Sequence, residues 1–179
     1  VLHAPWEHRL SRLADAIQQA HSIKRSTLVI TGEIARTAWL KQQLSRLTGL
    51  QITLAHPSSQ SAQLPQNQGQ TPSVVVGTRS AIFSPLQSIG LIWVEGEEDP
   101  ALKEPQEPCY HAREVASLRA ESEHALVVLA SAHPSLESRF DTEAEIHHVP
   151  QDVALQPTIE LVDLRNESAR TLLSHRLIQ

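Results

Sequence analysis

The sequence predicts an α/β protein: three layers, with a parallel sheet in the middle and helices on both faces. Two observations carry this. Short β-rich runs alternate with helical patterns four or five times along the 179 residues, the order that a sheet with crossover helices requires. The apolar run Leu91-Ile92-Trp93-Val94 then ends abruptly in Glu95, Glu97, Glu98 and Asp99, four acids within five positions. Ligands of such a sheet bind in the crevice beyond the carboxyl ends of its strands. That edge is therefore the expected place for a metal–nucleotide site.

The elements follow in order. Val1 to His3 reads as the tail of a strand. Leu10, Leu13, Ala14 and Ile17 recur at helical spacing over Glu7 to Gln19. Thr27 to Thr31 is a strand. Glu33 to Leu47 is a helix with Leu40, Leu44 and Leu47 on one face and Gly49 as its stop. Gln51 to Ala55 is a strand, and Pro57 to Pro72, rich in Ser, Gln and Pro, reads as a mobile surface loop. Strands are expected over Val74 to Gly77, Ile89 to Val94 and Leu126 to Ala130. A helix is expected over His111 to Ala120, and Ser131 to Phe140 reads as a turn into another, with Pro134 acceptable in its first turn. Beyond Gln151, Pro157 to Leu164 is a strand and Thr171 to Gln179 begins a helix.

Composition sets limits. With 40% hydrophobic and 20% charged residues, this is an ordinary globular chain, long enough to bury roughly 70% of its unfolded surface. Cys109 is the single cysteine, which excludes an internal disulfide and a multi-cysteine metal site and suits a reducing cytoplasm. No apolar run approaches the ~20 residues of a membrane span. The chain opens on Val1 and has no methionine, so it reads as a piece of something longer. Its net charge of −5 lacks the basic surplus usual for an isolated nucleic-acid-binding domain. Nucleic acid must then be met by a local patch or by other domains.

Three motifs recur in a fixed order: Gly77-Thr78-Arg79-Ser80-Ala81, Tyr110-His111-Ala112-Arg113, and Ser131-Ala132-His133-Pro134-Ser135-Leu136-Glu137-Ser138. With the acidic strand end between the first two, they resemble the first helicase lobe of the primosomal protein N′ (PriA) family, bacterial replication-restart DNA helicases. The family pattern is GTRSA, an apolar strand ending in DEEH, YHARD, and GSATPSLES. The resemblance spans residues 1 to 165. It implies a RecA-like, P-loop NTPase-type lobe over residues 1 to 150, with 151 to 179 as a linker and the start of a second lobe. Active family members use ATP and magnesium, and bind zinc through cysteines of the second lobe. Implied partners are forked or single-stranded DNA and other primosome or replication-restart proteins, in the cytoplasm and without membrane.

Three departures bear on activity. Where the family has G-x-x-x-x-G-K-[ST], whose amides and lysine hold phosphates, this chain reads Ala4, Pro5, Trp6, Glu7, His8, Arg9, Leu10, Ser11. Leu10 stands at the lysine, Pro5 removes an amide donor, and Glu7 adds negative charge. DEEH has become Glu95, Gly96, Glu97, Glu98, so no side chain stands where the family's water-orienting glutamate would be. The coupling motif SAT has become Ser131, Ala132, His133. This pattern is similar to that of actinobacterial members and implies a lobe without ATP hydrolysis. The alternative is an ATP-dependent helicase with altered motifs, in which Arg9, one position early, replaces the lysine charge.

Candidate DNA-contacting residues are Thr78, Arg79 and Ser80, which suit a phosphate contact, with Lys103, Tyr110 and Arg113, of which Tyr110 could stack on a base. The simpler alternatives are a capped turn for the first group and a packed helix start for the second. The acidic cluster read simply is a solvated loop. A further possibility is a docking module without nucleic acid. The 10 histidines do not gather at ligand spacing, and His147 and His148, adjacent on a strand, point to opposite faces, so no metal site is expected. Ser131, His133 and Ser135 lack the G-x-S-x-G elbow of a hydrolase.

Overall fold

The computed structural model describes residues 1–55, 72–140 and 144–149. The polar stretch up to residue 71, and the strand and helix expected beyond Gln151, lie outside the described residues.

The elements run β1 (Leu2–His3), α1 (Trp6–Ser22), β2 (Ser26–Thr31), α2 (Ile34–Thr48), β3 (Ile52–Ala55), β4 (Val74–Gly77), β5 (Ile89–Glu95), β6 (Lys103–Glu104), β7 (Tyr110–His111), α3 (Ala112–Glu123), β8 (Leu126–Ser131), α4 (Leu136–Phe140) and β9 (His147–His148). Short tight helical turns cover Arg79–Phe83 and Pro100–Leu102. Seven strands form one sheet in the order β3-β4-β2-β5-β8-β1-β9, every pairing parallel. β6 and β7 form a separate antiparallel pair.

The central strands are apolar on both sides, as strands covered on both faces must be, and alternation sorts them. Leu28, Ile30, Ile92 and Val94 pack with Ile82, Ala112 and Ala116 on the α3 face. Val29 and Trp93 pack with Leu13, Ile17, Leu40 and Leu44 on the α1 and α2 face. Fully burying each such large side chain stabilises by about 1.5–3 kcal/mol. α2 ends at Gly49 as expected. Its last turn adds nothing to the core, however, and Leu47 is 51% exposed. α1 carries one charged residue on its buried stripe, Arg9.

Candidate functional site at the carboxyl edge of the sheet

Only Ala4 and Pro5 separate β1 from α1. The Ala4 amide donates to the Ser131 carbonyl at 3.0 Å, and the Arg9 amide already donates to the Pro5 carbonyl at 3.1 Å. The helix therefore starts at once, with no glycine-rich loop before it, and the only open amides are those of its own first turn. Arg9 lies one turn before Leu13 and two before Ile17, so its side chain runs inward, and the residue is 5% exposed. Nε and Nη2 each lie 2.9 Å from Oε1 of Glu95, and Nη1 donates to the Ala4 carbonyl at 2.7 Å. The other oxygen of Glu95 accepts from the Trp93 indole N–H at 3.1 Å. Trp93 and Glu95 are two residues apart and so share a face of β5. Burial pushes the Glu95 carboxyl above its ordinary value, with Arg9 and Trp93 acting against it. Leu10 instead packs beside Leu2 and Trp6 against the core, and Ser11 is exposed.

Gly96 follows with a φ of +67°, a left-handed conformation that glycine adopts without steric cost. Its amide and that of Glu97 both donate to the Ala130 carbonyl, at 2.8 and 3.3 Å. This turn delivers Glu97 inward. Its Oε1 accepts from the Ser135 amide at 2.6 Å, and its Oε2 accepts from Arg113 Nη1 and the Ser135 hydroxyl, each at 2.9 Å, and from the Ser138 hydroxyl at 2.8 Å. Burial alone would raise this carboxyl. The Ser135 amide, Arg113 and the two hydroxyls outweigh it and hold Glu97 below the usual glutamate value. The acidic stretch is thus no solvated loop: of its four acids Glu98 alone is exposed, and Asp99 accepts from the Ala101 amide at 2.8 Å. Ser131 is buried and its hydroxyl accepts from the His133 amide at 2.7 Å, while Ala132 is half-buried and the His133 side chain is exposed.

The residues expected to contact DNA divide. Arg113 turns inward to Glu97 and its side chain is 14% exposed, because a buried carboxylate there needs a cation. It corrects the expectation of a phosphate-facing side chain. Thr78, Arg79, Ser80, Lys103 and Tyr110 gather instead around the β6–β7 pair. Gly77 lets the Arg79–Phe83 turn fold back closely on β4, since a Cβ there would lie 2.4 Å from that of Ala81. Arg79 donates through Nε and Nη2 to Oε2 of Glu104, at 2.9 and 2.8 Å, and through Nη1 to the Ala101 carbonyl at 3.2 Å. The Gln106 amide and Arg79 hold the Glu104 carboxyl below its usual range. Ser80 and Lys103 are exposed. Tyr110 meets Phe83 edge-on at 5.0 Å, and Phe83 is 60% exposed. His111 caps α3 by accepting from the Arg113 amide at 3.2 Å.

Sequence reasoning did not find the hairpin or Phe83, because two-residue strands carry no readable alternation. The burial of Arg9 was missed as well, although its i, i+4, i+8 spacing with Leu13 and Ile17 carries the signal. Its pairing with Glu95, 86 positions away, leaves no such trace. Among the described residues, no three His, Cys, Asp or Glu side chains could hold a metal ion, and no helix is long and apolar enough to cross a membrane.

A parallel sheet of this order, covered by helices on both faces, defines a three-layer α/β fold of the RecA-like type. The solved structure of S. cerevisiae Dbp5 bound to Gle1 and IP6 matches it with a TM-score of 0.55 over 84% of this chain and 41% of that one, at 11% identity. No family model matches the sequence. Replication restart protein PriA of Synechocystis is 36% identical over 157 residues, 80% of this chain and 19% of its own length. That of Helicobacter pylori is 38% identical over 140 residues, covering 72% and 22%, and that of Chlamydia pneumoniae is 37% identical over 134 residues, covering 72% and 17%. The chain belongs to the PriA family of replication restart proteins, and it spans about a fifth of the length of the curated relatives it matches.

Proposed function

We propose that the chain acts as a DNA-contacting and structural lobe of a cytoplasmic replication-restart protein, in primosome assembly, without hydrolysing ATP. The observation that carries this is the buried Arg9–Glu95 pair. In a RecA-like lobe, the turn before α1 and the acidic end of β5 are where phosphates and magnesium sit. Here one guanidinium bridges the Ala4 carbonyl and the Glu95 carboxylate across that space. The residues do not fit a magnesium–nucleotide. The two-residue turn offers no cradle of amides, Arg9 is committed to Glu95, and Gly96 has no group to orient water. Residues 151 to 179 are assigned to the linker and the start of a second lobe, where the family's zinc site would lie. A Mg-ATP titration of the chain by calorimetry should give no binding heat. Micromolar binding or DNA-stimulated hydrolysis would overturn the reading in favour of a working ATPase.

DNA contact is assigned to the face built from Thr78, Arg79, Ser80, Lys103 and Tyr110. The exposed Lys103 and Ser80 supply groups that reach phosphate, and Tyr110 with Phe83 supplies an aromatic surface. Fluorescence anisotropy with forked DNA tests it. Lys103→Ala should weaken binding uniformly across sequences and lower the salt dependence by about one counterion. An unchanged isotherm would remove this face from consideration.

A further inference from the structure

A second concave site lies beside the first, between the opening turns of α1 and α2. Its cavity of about 470 Å³ is lined by Trp6, Glu33, Arg36 and Trp39. The two indoles meet at 5.1 Å with their planes tilted by 53°, and Trp39 is 40% exposed. The Arg36 guanidinium lies 5.0 Å from the centre of the Trp6 ring. That stacking holds the fork in place, yet its N–H groups bond to no acceptor among the described residues. Glu33 is exposed, and its carboxylate caps nothing in α2. An open π face, a pre-placed fork of donors and a free carboxylate therefore converge on one cavity.

We propose that this cavity binds a guanine base. A planar base stacks on the free face of Trp39, as bases do on aromatic side chains. Guanine alone among the bases offers two adjacent acceptors, O6 and N7, that an arginine fork takes together. Its N1–H and amino group supply donors for a carboxylate such as Glu33. Adenine would set an amino donor against Arg36. The acids Glu7 and Glu33 at the two helix starts disfavour phosphate, so the base enters and the phosphate stays outside. The base could come from a free nucleotide or from single-stranded DNA, and the chemistry is shared. The cavity adjoins the Arg9–Glu95 pair, since Arg9 also lies 5.5 Å from the centre of the Trp6 ring, but base recognition uses none of Arg9, Glu95 or Gly96.

Two of the three tryptophans line the cavity and the third, Trp93, is 2% exposed, so tryptophan emission reports on it. Guanosine monophosphate added to the full chain without magnesium should quench that emission at a concentration about tenfold below adenosine or cytidine monophosphate. Trp39→Phe should keep this preference, and Trp39→Ala should weaken binding by about tenfold. Glu33→Gln, at an exposed position that does not threaten folding, should erase the guanine preference. Competition by a deoxythymidine strand carrying one guanine assigns the base to DNA, and its absence assigns it to a free nucleotide. Equal quenching by all three nucleotides, no quenching, or an unaltered preference in Glu33→Gln would overturn the proposal.

Discussion

Glu95 and Glu97 stand two residues apart, both are buried, and each meets one arginine, yet they are different objects. Glu95 has Arg9 and a single indole N–H, and burial prevails: its carboxyl is pushed up. Glu97 has an amide, two hydroxyls and Arg113, and the donors prevail: its carboxyl is held down. The difference lies in the balance of desolvation, which weighs more on Glu95, against donors, of which Glu97 has more, because a buried carboxylate stays charged only when its oxygens are satisfied. Glu95 ties the end of β5 to α1 through Arg9, which also holds the Ala4 carbonyl. Glu97 ties together three segments that the sequence keeps far apart: the end of β5, the start of α3 and the start of α4.

The largest effects come from breaking either pair. Glu97→Ala should cost about 3–5 kcal/mol, because it leaves the largely covered Arg113 guanidinium, which cannot lose its proton, without its carboxylate. Arg9→Ala should fall toward the lower end of the same range of about 3–5 kcal/mol, since the orphaned Glu95 carboxyl can take up a proton instead. Urea denaturation of both variants reads the order directly. If Arg9→Ala is the more damaging, the contrast between the two carboxylates is mistaken. The double change Arg9→Met with Glu95→Gln sharpens the point. It removes the charge pair, keeps an acceptor for Trp93, and should return stability to within about 1 kcal/mol of the parent.

The pH dependence separates the two by sign. The folded-state value of Glu97 is depressed, so the stability it contributes is present above the unfolded glutamate value and is lost as pH falls through the folded one. Glu95 is shifted upward, so the native state holds its proton more tightly than the unfolded chain, and acidification through that range stabilises. Acid unfolding of Glu97→Gln should therefore be shallower than that of the parent, and that of Glu95→Gln steeper. Parallel curves for the two variants would show that a single environment governs both.

Much of this was open to sequence reading, and the part that was not has a physical reason. The longer strands and helices were legible because each is a run of local periodicity, which the two-residue β6 and β7 lack, and the strand end at Glu95 was legible as the place where an apolar run stops. The Gly77 motif left a DNA-contacting loop and a capped turn both open, and the close approach of Ala81 to Gly77 came from the structure alone. What the sequence could not show was which arginine faces which acid. Arg9 to Glu95, Arg113 to Glu97 and Arg79 to Glu104 are separated by 86, 16 and 25 positions, and none leaves a periodic trace. Reading Arg113 as facing outward assumed a position on the surface, which its own helix start denies it.

Gly96 joins the two carboxylates, and it sets the smallest effect. Its φ of +67° turns the chain so that Glu95 and Glu97 serve different partners. A Cβ there would meet nothing closer than Arg36 Nη1 at 4.0 Å, so space is available and only the backbone resists. Gly96→Ala should then cost about 1–2 kcal/mol, the penalty for an L-residue in the left-handed region, with the Glu97 network intact by its acid-unfolding profile. Gly96→Glu puts a carboxylate where the family's water-orienting residue stands, at a similar backbone cost. If that carboxylate were the missing part, hydrolysis would return in a DNA-stimulated phosphate-release assay. It should not return, because Arg9 still occupies Glu95 and the two-residue turn still offers phosphate no amides.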